Sequence, residues 1–329
     1  MTEQSKINRK GAKRTSLFER ADAMFGFDKL GPAAVPANLP DAEPRASRSV
    51  REAAQVSNEV AHQEEQSAPK PVAATPPPAT KPPERKVVLS GPHQNVDRLV
   101  LRDAGLIVPE DPVTGLLEEF RIVKRELLAD ARASSDDAAR RILVCSPHSG
   151  EGKTYCAINL AIALAAERDV EVVLVDADVM NPSVASRLGL DSGKGLMDAL
   201  VDDNLHPERL AIGTDIDRLF VLPAGSSSAR DAEYLASART GKVLDRLTRA
   251  APNRFIIFDT PPALAASPAA ELAAHVGQAV LVVRADETSR AALEDAQQLL
   301  SACPDIKLLL NAARFSPSGR RFGDYGAKE

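Results

Sequence analysis

The clearest pattern in the chain is an alternation of short apolar runs with helical stretches between residues 141 and 311. Six runs have the length and composition of buried strands: Ile142 to Cys145, Val170 to Val175, Leu219 to Leu222, Phe255 to Phe258, Ala279 to Val283 and Ile306 to Leu310. Continuously apolar strands joined by helices are typical of a parallel sheet covered on both faces. The pattern predicts a doubly wound, mostly parallel α/β domain that binds ligands at the carboxyl ends of its strands.

Two helices are predicted before this sheet. A short one lies within residues 95–107 and ends at Gly105. In the second, apolar residues recur at helical spacing for about four turns, at Leu116, Leu117, Phe120, Val123, Leu127 and Leu128. We therefore expect one globular domain over residues 93–311.

Outside this domain the hydrophobic pattern is lost. No aromatic residue occurs between Phe27 and Phe120, and residues 30–92 are rich in Pro and Ala, which predicts a disordered linker. Residues 1–29 hold a basic cluster and a short amphipathic segment, Ser16 to Phe27, that could bind a partner protein, lie on an anionic membrane or remain a solvated tail. Residues 312–329 are predicted to be a flexible C-terminal tail.

Composition narrows the functional classes. The net charge of −5 gives no reason to expect nucleic-acid binding. There is neither a run of about 18 apolar residues nor an apolar signal core, so we expect a cytoplasmic protein. The three cysteines are far apart and lack metal-ligand spacing, which is typical of ordinary thiols in a reducing compartment.

A glycine-bearing loop follows the first strand: Ser146-Pro-His-Ser-Gly-Glu-Gly-Lys-Thr154. Its glycines, Gly150 and Gly152, would let backbone N–H groups approach phosphates at a helix N-terminus. Lys153 would reach the β- and γ-phosphates, and the Thr154 hydroxyl would bind Mg²⁺. Pro147 stands where the consensus loop has its first glycine, so the match departs there. We expect Lys153 to face solvent when no nucleotide is bound.

Two further strands end in carboxylates. Asp176 and Asp178 follow one strand and point to the same side, whereas Asp259 ends another. Buried acids are costly without a partner, and like charges this close repel each other unless a cation lies beside them. With Lys153 and Thr154 they predict a Mg–nucleotide site. Each aspartate taken alone could instead cap the following helix or turn.

Together these motifs resemble those of the bacterial tyrosine kinases of exopolysaccharide synthesis, in particular their exosortase-associated cytoplasmic type. The loop is similar to the Walker A motif, Val175-Asp-Ala-Asp-Val-Met-Asn-Pro-Ser183 to Walker A′, and Ile257-Phe-Asp-Thr-Pro-Pro262 to Walker B. The resemblance covers residues 95–329. It implies a P-loop NTPase fold of the MinD/ParA type, ATP and Mg²⁺ as cofactors, and autophosphorylation of a C-terminal tyrosine cluster.

The resemblance also implies partners. It implies control of a membrane polysaccharide co-polymerase, with recruitment to the inner face of the plasma membrane. The helix Glu118-Glu-Phe-Arg-Ile-Val-Lys-Arg-Glu-Leu-Leu128 is similar to the E-x-x-R-x-x-R helix that the family uses for ring-like self-assembly, with Lys124 in the last basic position. A homo-oligomer is therefore expected.

Roles follow residue by residue from the same resemblance. Lys153 would stabilise the migrating phosphoryl group, Asp176 would accept or orient the tyrosine proton, and Asp178 would hold the metal. Thr154 would ligate Mg²⁺ and Asp259 would bind it through water. The residues expected to bind the nucleotide are Ser149, Gly150, Glu151, Gly152, Lys153, Thr154, Tyr155 and, at the adenine just past the last strand, Asn311.

Two departures from the family keep alternatives open. Met180 stands where many members carry arginine, and Tyr325 is the one tyrosine in the tail, where the family has a cluster. Tyr325 is thus either the phosphate acceptor or an ordinary terminal residue.

The expected function is an autokinase that regulates exopolysaccharide polymerisation and export. The alternatives are a MinD/ParA-like ATPase switch, against which His148 argues by replacing the lysine of that class, and a nucleotide-binding regulator without kinase activity.

Overall fold

A computed structural model describes residues 86–313, and both the N-terminal segment with most of the predicted linker and the tail from residue 314 onward lie outside it. The described residues contain an eight-stranded sheet in the order β1-β4-β5-β3-β6-β2-β7-β8. Neighbouring strands are parallel except β4 and β5. The strands are His93–Gln94 (β1), Arg141–Cys145 (β2), Glu171–Asp176 (β3), Ile212–Thr214 (β4), Leu219–Leu222 (β5), Arg254–Asp259 (β6), Gln278–Arg284 (β7) and Ile306–Asn311 (β8).

The sheet confirms the predicted fold class and the six predicted strands. The two strands that the hydrophobic pattern missed, β1 and β4, have two and three residues. Such short segments carry no detectable period, and they form because they extend an existing sheet edge.

Helices cover both faces of the sheet. They are Arg98–Asp103 (α1), Gly115–Ala133 (α2), Lys153–Ala165 (α3), Val184–Arg187 (α4), Leu196–Val201 (α5), Pro207–Leu210 (α6), Asp231–Leu235 (α7), Ala238–Thr248 (α8), Pro268–Ala273 (α9) and Arg290–Leu299 (α10), with a 3₁₀ turn at Asp137–Arg140. Alternate residues of β2 enter two separate apolar clusters, Ile142 and Val144 in one and Leu143 and Cys145 in the other. Successive side chains of a strand point to opposite faces, so the clusters lie on the two sides of the sheet.

The helix after the phosphate loop is the most buried one. In α3, eleven of thirteen residues are buried, which explains its apolar composition on all sides. Because α3 is held by the core along its whole length, its first turn is a fixed platform for the phosphate loop.

Lys124 of α2 is used inside the subunit. Its ammonium donates to the Ala163 carbonyl at 2.8 Å and pairs with Glu167 at 2.7 Å, where α3 ends. A cation is favourable there because the last carbonyls of a helix carry partial negative charge. The Lys124 side chain therefore faces inward in the subunit, and the expected role of this helix in self-assembly stays a prediction. The first two motif residues, Glu118 and Arg121, pair with each other.

Arg254, at the start of β6, is the largest fully buried side chain among the described residues. Its guanidinium donates to the Leu247 carbonyl at 2.6 Å, to the Val87 carbonyl at 2.8 Å and to Glu171 at 2.9 Å. These bonds fasten the segment before β1 to the base of the sheet. Between residues 86 and 313, no helix combines the length and the hydropathy that a membrane crossing requires.

Candidate active site

The phosphate loop joins β2 to α3 and takes its shape from two glycines. Gly150 and Gly152 have φ values of 84° and 97°, in the left-handed region that other residues rarely adopt. A Cβ on Gly152 would also lie 2.1 Å from the Asn311 side-chain nitrogen. Both conformation and close approach therefore require glycine at residue 152.

Asn311 holds the loop from the neighbouring strand end. It is the last residue of β8, not a residue past it as expected, and its amide donates to the Glu151 carbonyl at 2.8 Å. The predicted contact of Asn311 with adenine stays a prediction. What the structure adds is that Asn311 fixes the loop backbone.

Three further side chains brace the loop. The buried Glu151 carboxylate accepts from the His148 N–H at 2.8 Å and from the Thr288 hydroxyl. Thr288 in turn accepts from the Arg284 N–H at 2.8 Å, and the Arg284 guanidinium donates to the Gly150 carbonyl at 3.1 Å. Sequence reasoning missed Arg284 and Thr288. Their position, Arg284 at the end of β7 and Thr288 four residues later, at the same sheet edge as the loop, was the available signal.

Lys153 is engaged with Asp178. The two charged groups lie 2.8 Å apart, and the side chains are 14 % and 5 % exposed. The expectation that Lys153 faces solvent is wrong, because the carboxylate that ends the neighbouring motif draws the ammonium inward. Incoming phosphates must therefore compete with Asp178 for this lysine.

Asp176 is held by backbone donors. Its carboxylate accepts from the N–H groups of Ser183, Val184 and Asp178 at 2.9, 3.0 and 3.2 Å. Burial raises the pKa of Asp176, although these three bonds oppose that shift. The capping alternative thus describes much of what Asp176 does, since the bonds fix the turn that leads into α4.

Asp259 lies beside Asp176 in register, because β6 pairs with β3, and on its other side β6 pairs with β2. It is completely buried, and neither carboxylate oxygen has a hydrogen-bond partner in the described part of the chain. Burial raises the pKa of Asp259 to about 7, although the Lys153 charge and the nearby Thr154 hydroxyl, which makes no hydrogen bond of good geometry with the carboxylate, both act to lower it. An unpartnered buried carboxylate is costly, and a cation would relieve that cost.

These acids do not form a ready metal cage. No group of three or more His, Cys, Asp or Glu side chains within residues 86–313 is arranged to hold a metal ion by itself. Mg²⁺ usually takes one or two carboxylates and completes its shell with water and phosphate oxygens. The orphaned Asp259 oxygens next to buried Thr154 and Asp178 fit an ion that arrives with a nucleotide.

The remaining predicted residues differ in their surroundings. Ser149 is exposed on the loop, and Thr154 is buried in the first turn of α3. The Tyr155 hydroxyl donates to the Gly105 carbonyl at 2.9 Å, so this side chain contacts the segment after α1. Met180 is 71 % exposed. Tyr325 lies outside the described residues.

Comparisons with known proteins agree with this geometry. A family model described as an AAA domain matches residues 139–313, more than half of the chain. The tyrosine-protein kinase YwqD of Bacillus subtilis (strain 168) is 28% identical over 228 residues, which cover 68% of this chain and 92% of YwqD. The tyrosine-protein kinase CpsD of Streptococcus agalactiae is 30% identical over 189 residues, which cover 56% of this chain and 80% of CpsD.

A solved structure shows the same fold. The crystal structure of the chimerical protein CapA2B2 superposes with a TM-score of 0.53 at 23% identity, over 68% of this chain and 93% of that one. The family match, the relatives and the site geometry agree on a nucleotide-binding P-loop fold. The chain therefore belongs to the AAA-domain P-loop proteins and, among them, to the bacterial tyrosine-protein kinase family.

Proposed function

We propose that the chain is an ATP- and Mg²⁺-dependent protein-tyrosine autokinase that regulates exopolysaccharide polymerisation and export. One observation carries this proposal. At the carboxyl ends of three adjacent strands, the Lys153–Asp178 ion pair lies next to Asp259, a buried carboxylate without a partner. This grouping of one cation with carboxylates at a phosphate loop suits phosphoryl transfer, which depends on positioning and electrostatics.

Each residue has a defined task in this proposal. The loop from Ser149 to Gly152 presents backbone N–H groups to the phosphates, and the first turn of α3 adds those of Lys153, Thr154 and Tyr155. Lys153 leaves Asp178 and neutralises the charge that develops on the transferred phosphoryl group. Asn311 keeps the loop closed beside the position proposed for the adenine.

The metal-binding tasks are divided in the same way. Thr154 and Asp178 would hold Mg²⁺ directly and Asp259 through water, and the ion would supply charge neutralisation on the phosphates. Asp178 is released for this purpose when Lys153 turns to the phosphates. Asp176 keeps the turn before α4 in place and presents its carboxylate to the acceptor hydroxyl.

The acceptor in this proposal is Tyr325. As the tail tyrosine of the chain, it would be phosphorylated within a homo-oligomer, on the cytoplasmic side of the membrane. The partner that reads this state would be a membrane polysaccharide co-polymerase, by analogy with the family.

A second function keeps the site but not the transfer. A nucleotide-binding regulator without kinase activity is favoured by one observation, the single tail tyrosine where the family has a cluster. Such a regulator, including one that works as a MinD/ParA-like switch, would bind Mg-ATP and leave Tyr325 unmodified.

Phosphotyrosine mass spectrometry separates the two functions. Purified full-length chain is incubated with Mg-ATP, and K153A serves as the control for contaminating kinases. We expect phosphate on Tyr325 in the wild-type protein and none in K153A. Wild-type protein that binds ATP yet gains no phosphotyrosine would rule out the kinase and favour the regulator.

A further inference from the structure

An apolar groove of about 460 Å³ lies between α2 and β8 and adjoins the site described above at Tyr155 and Asn311. Its floor consists of apolar and aromatic side chains from α2, α3 and β8: Leu116, Phe120, Val123, Tyr155 and Leu309. This volume falls in the range of pockets that bind a few side chains or a small ligand, roughly 300 to 1,000 Å³.

The strand beside this groove is an open edge. β8 is the last strand in the sheet order, and none of residues 86–313 pairs with its outer side. Leu308 and Leu310 on this strand are 52 % and 60 % exposed. Ile122 on α2 is also exposed. Exposed apolar residues along an unpaired strand mark a surface that another segment covers.

The rim of the groove is acidic. Glu119 and Glu126 line it from α2, both are exposed, and neither has a basic partner in the described range. Lys307 also lines the groove, but its ammonium lies 2.9 Å from Asp130 and also pairs with Asp305. The groove thus presents uncompensated negative charge above an apolar floor, and its occupant should be basic and aromatic.

The chain itself supplies such a segment at this place. Ala313, the last described residue, lines the groove. The next nine residues, Arg-Phe-Ser-Pro-Ser-Gly-Arg-Arg-Phe, contain three arginines and two phenylalanines and no acid. Ala312 has a φ of 55°, a left-handed conformation that turns the chain at the end of β8.

The length of the segment also suffices. From Leu116 to Glu126, α2 advances about 15 Å at 1.5 Å per residue. Nine extended residues span about 30 Å. From this chemistry and geometry we infer that residues 314–322 of the same subunit dock in the groove, with Phe315 on the floor and the arginines at Glu119 and Glu126. Because the segment is tethered at Ala313, docking needs little intrinsic affinity.

Docking would control the reach of the tail tyrosine. Tyr325 follows the docked segment by three residues, whereas without docking it lies twelve residues after Ala313, the last described residue. This consequence rests on the proposed autokinase function, in which a docked tail is phosphorylated more slowly by a second copy. The docking itself does not depend on kinase activity.

The absence of tryptophan from the chain permits a clean test. In the F315W full-length protein, the single indole reports on the groove without nucleotide, so a failure of the kinase proposal leaves the readout intact. We expect blue-shifted emission and several-fold weaker acrylamide quenching than in the urea-unfolded protein. Adding E119K and E126K should remove both effects, whereas E294K, a charge reversal on α10, should leave them unchanged.

A charge swap between the tail and the groove controls for variants that lose docking because they misfold. R320E and R321E in the F315W background leave the groove untouched and should also release the indole, and combining them with E119K and E126K should restore the blue shift. Docking within the subunit predicts emission that is unchanged on strong dilution. Solvent-like emission from F315W, a blue shift lost on dilution, or no recovery in the charge swap would overturn the inference.

Discussion

The Lys153 ammonium and the Asp178 carboxylate form a largely buried ion pair, 2.8 Å apart. Lys153, which is proposed to bind the phosphates, is therefore paired with Asp178, which is proposed to bind the metal. In the proposed function, exchange of both partners would let Mg²⁺ and the nucleotide replace one pair of charges with another, so that neither charged side chain is left unpaired in a buried site.

Replacing Lys153 tests the exchange. We expect K153A to weaken ATP binding by at least about tenfold, or about 1.4 kcal/mol. It should also destabilise the protein by roughly 1 to 3 kcal/mol, because Asp178 is then buried without a charged partner. Isothermal titration calorimetry and urea unfolding measure the two effects.

D178N is the matched control for this experiment. It frees Lys153 and should preserve binding of ATP without metal while losing the gain that Mg²⁺ provides. If K153A and D178N lost the same affinity for metal-free ATP, the proposed exchange of ion-pair partners would be contradicted.

Asp259 should make stability depend on pH. Its pKa is about 7 in the folded chain and 3.8 ordinarily, so the folded state holds a proton that the unfolded state has lost between these values. Stability must then fall as pH rises from about 4 to about 7 and level off above, since both states are ionised there. We expect D259N to remove this loss, roughly 2 to 4 kcal/mol at pH 8.

Urea unfolding at pH 5 and pH 8 measures that difference. D259N should be the more stable protein at pH 8 and should gain less stability from Mg-ATP than the wild type does. A wild-type protein with the same pH dependence as D259N would show that the carboxylate is not held unpartnered in the apo chain.

Thr288 should act as a positioning residue for the phosphate loop. T288V removes the hydroxyl that donates to Glu151, and we expect the dissociation constant for ATP to rise by roughly three- to tenfold, an effect of about 1 kcal/mol. T288S keeps the hydroxyl and should restore affinity. Calorimetric titration of the wild type, T288V and T288S with ATP measures these affinities. Equal affinity in T288V and the wild type would contradict a positioning role for Thr288.

Arg254 should be important for stability and not for the site. R254M leaves Glu171 and two carbonyls without their buried donor, and we expect a loss of roughly 3 to 5 kcal/mol. R290M, which breaks the exposed pair with Glu294, should cost less than about 1 kcal/mol. Thermal unfolding compares the two variants, and a mild effect of R254M would contradict a stabilising role for the buried hydrogen bonds of Arg254.

The sheet could be predicted from sequence because its central strands are apolar along their whole length. Leu143 in one apolar cluster and Ile257 in the other are completely buried, so both faces of the sheet are covered, and that requirement is visible in the sequence. The edge strand β1 was not predicted because its two residues gain their place from hydrogen bonds to β4, which no local pattern records.

The site was predicted in its residue types but not in its contacts. Glycines, a lysine and aspartates at strand ends follow from the demands of phosphate chemistry. The pairing of Lys153 with Asp178 and the anchoring of the loop by Thr288 depend on distances between elements far apart in sequence. The inward-facing Lys124 side chain could not be predicted either, because a lysine on a helix is usually solvated.

The bond from Lys124 to the Ala163 carbonyl has a mechanical consequence. It locks one helix to the far end of another, so α2 cannot slide along α3 without breaking a buried contact. At 1.5 Å per residue, the opposite end of α3, where the phosphate loop ends, is about 15 to 20 Å away. A force on the outer surface of α2 would therefore shift α3 as a rigid body and displace the phosphate loop at its N-terminal end.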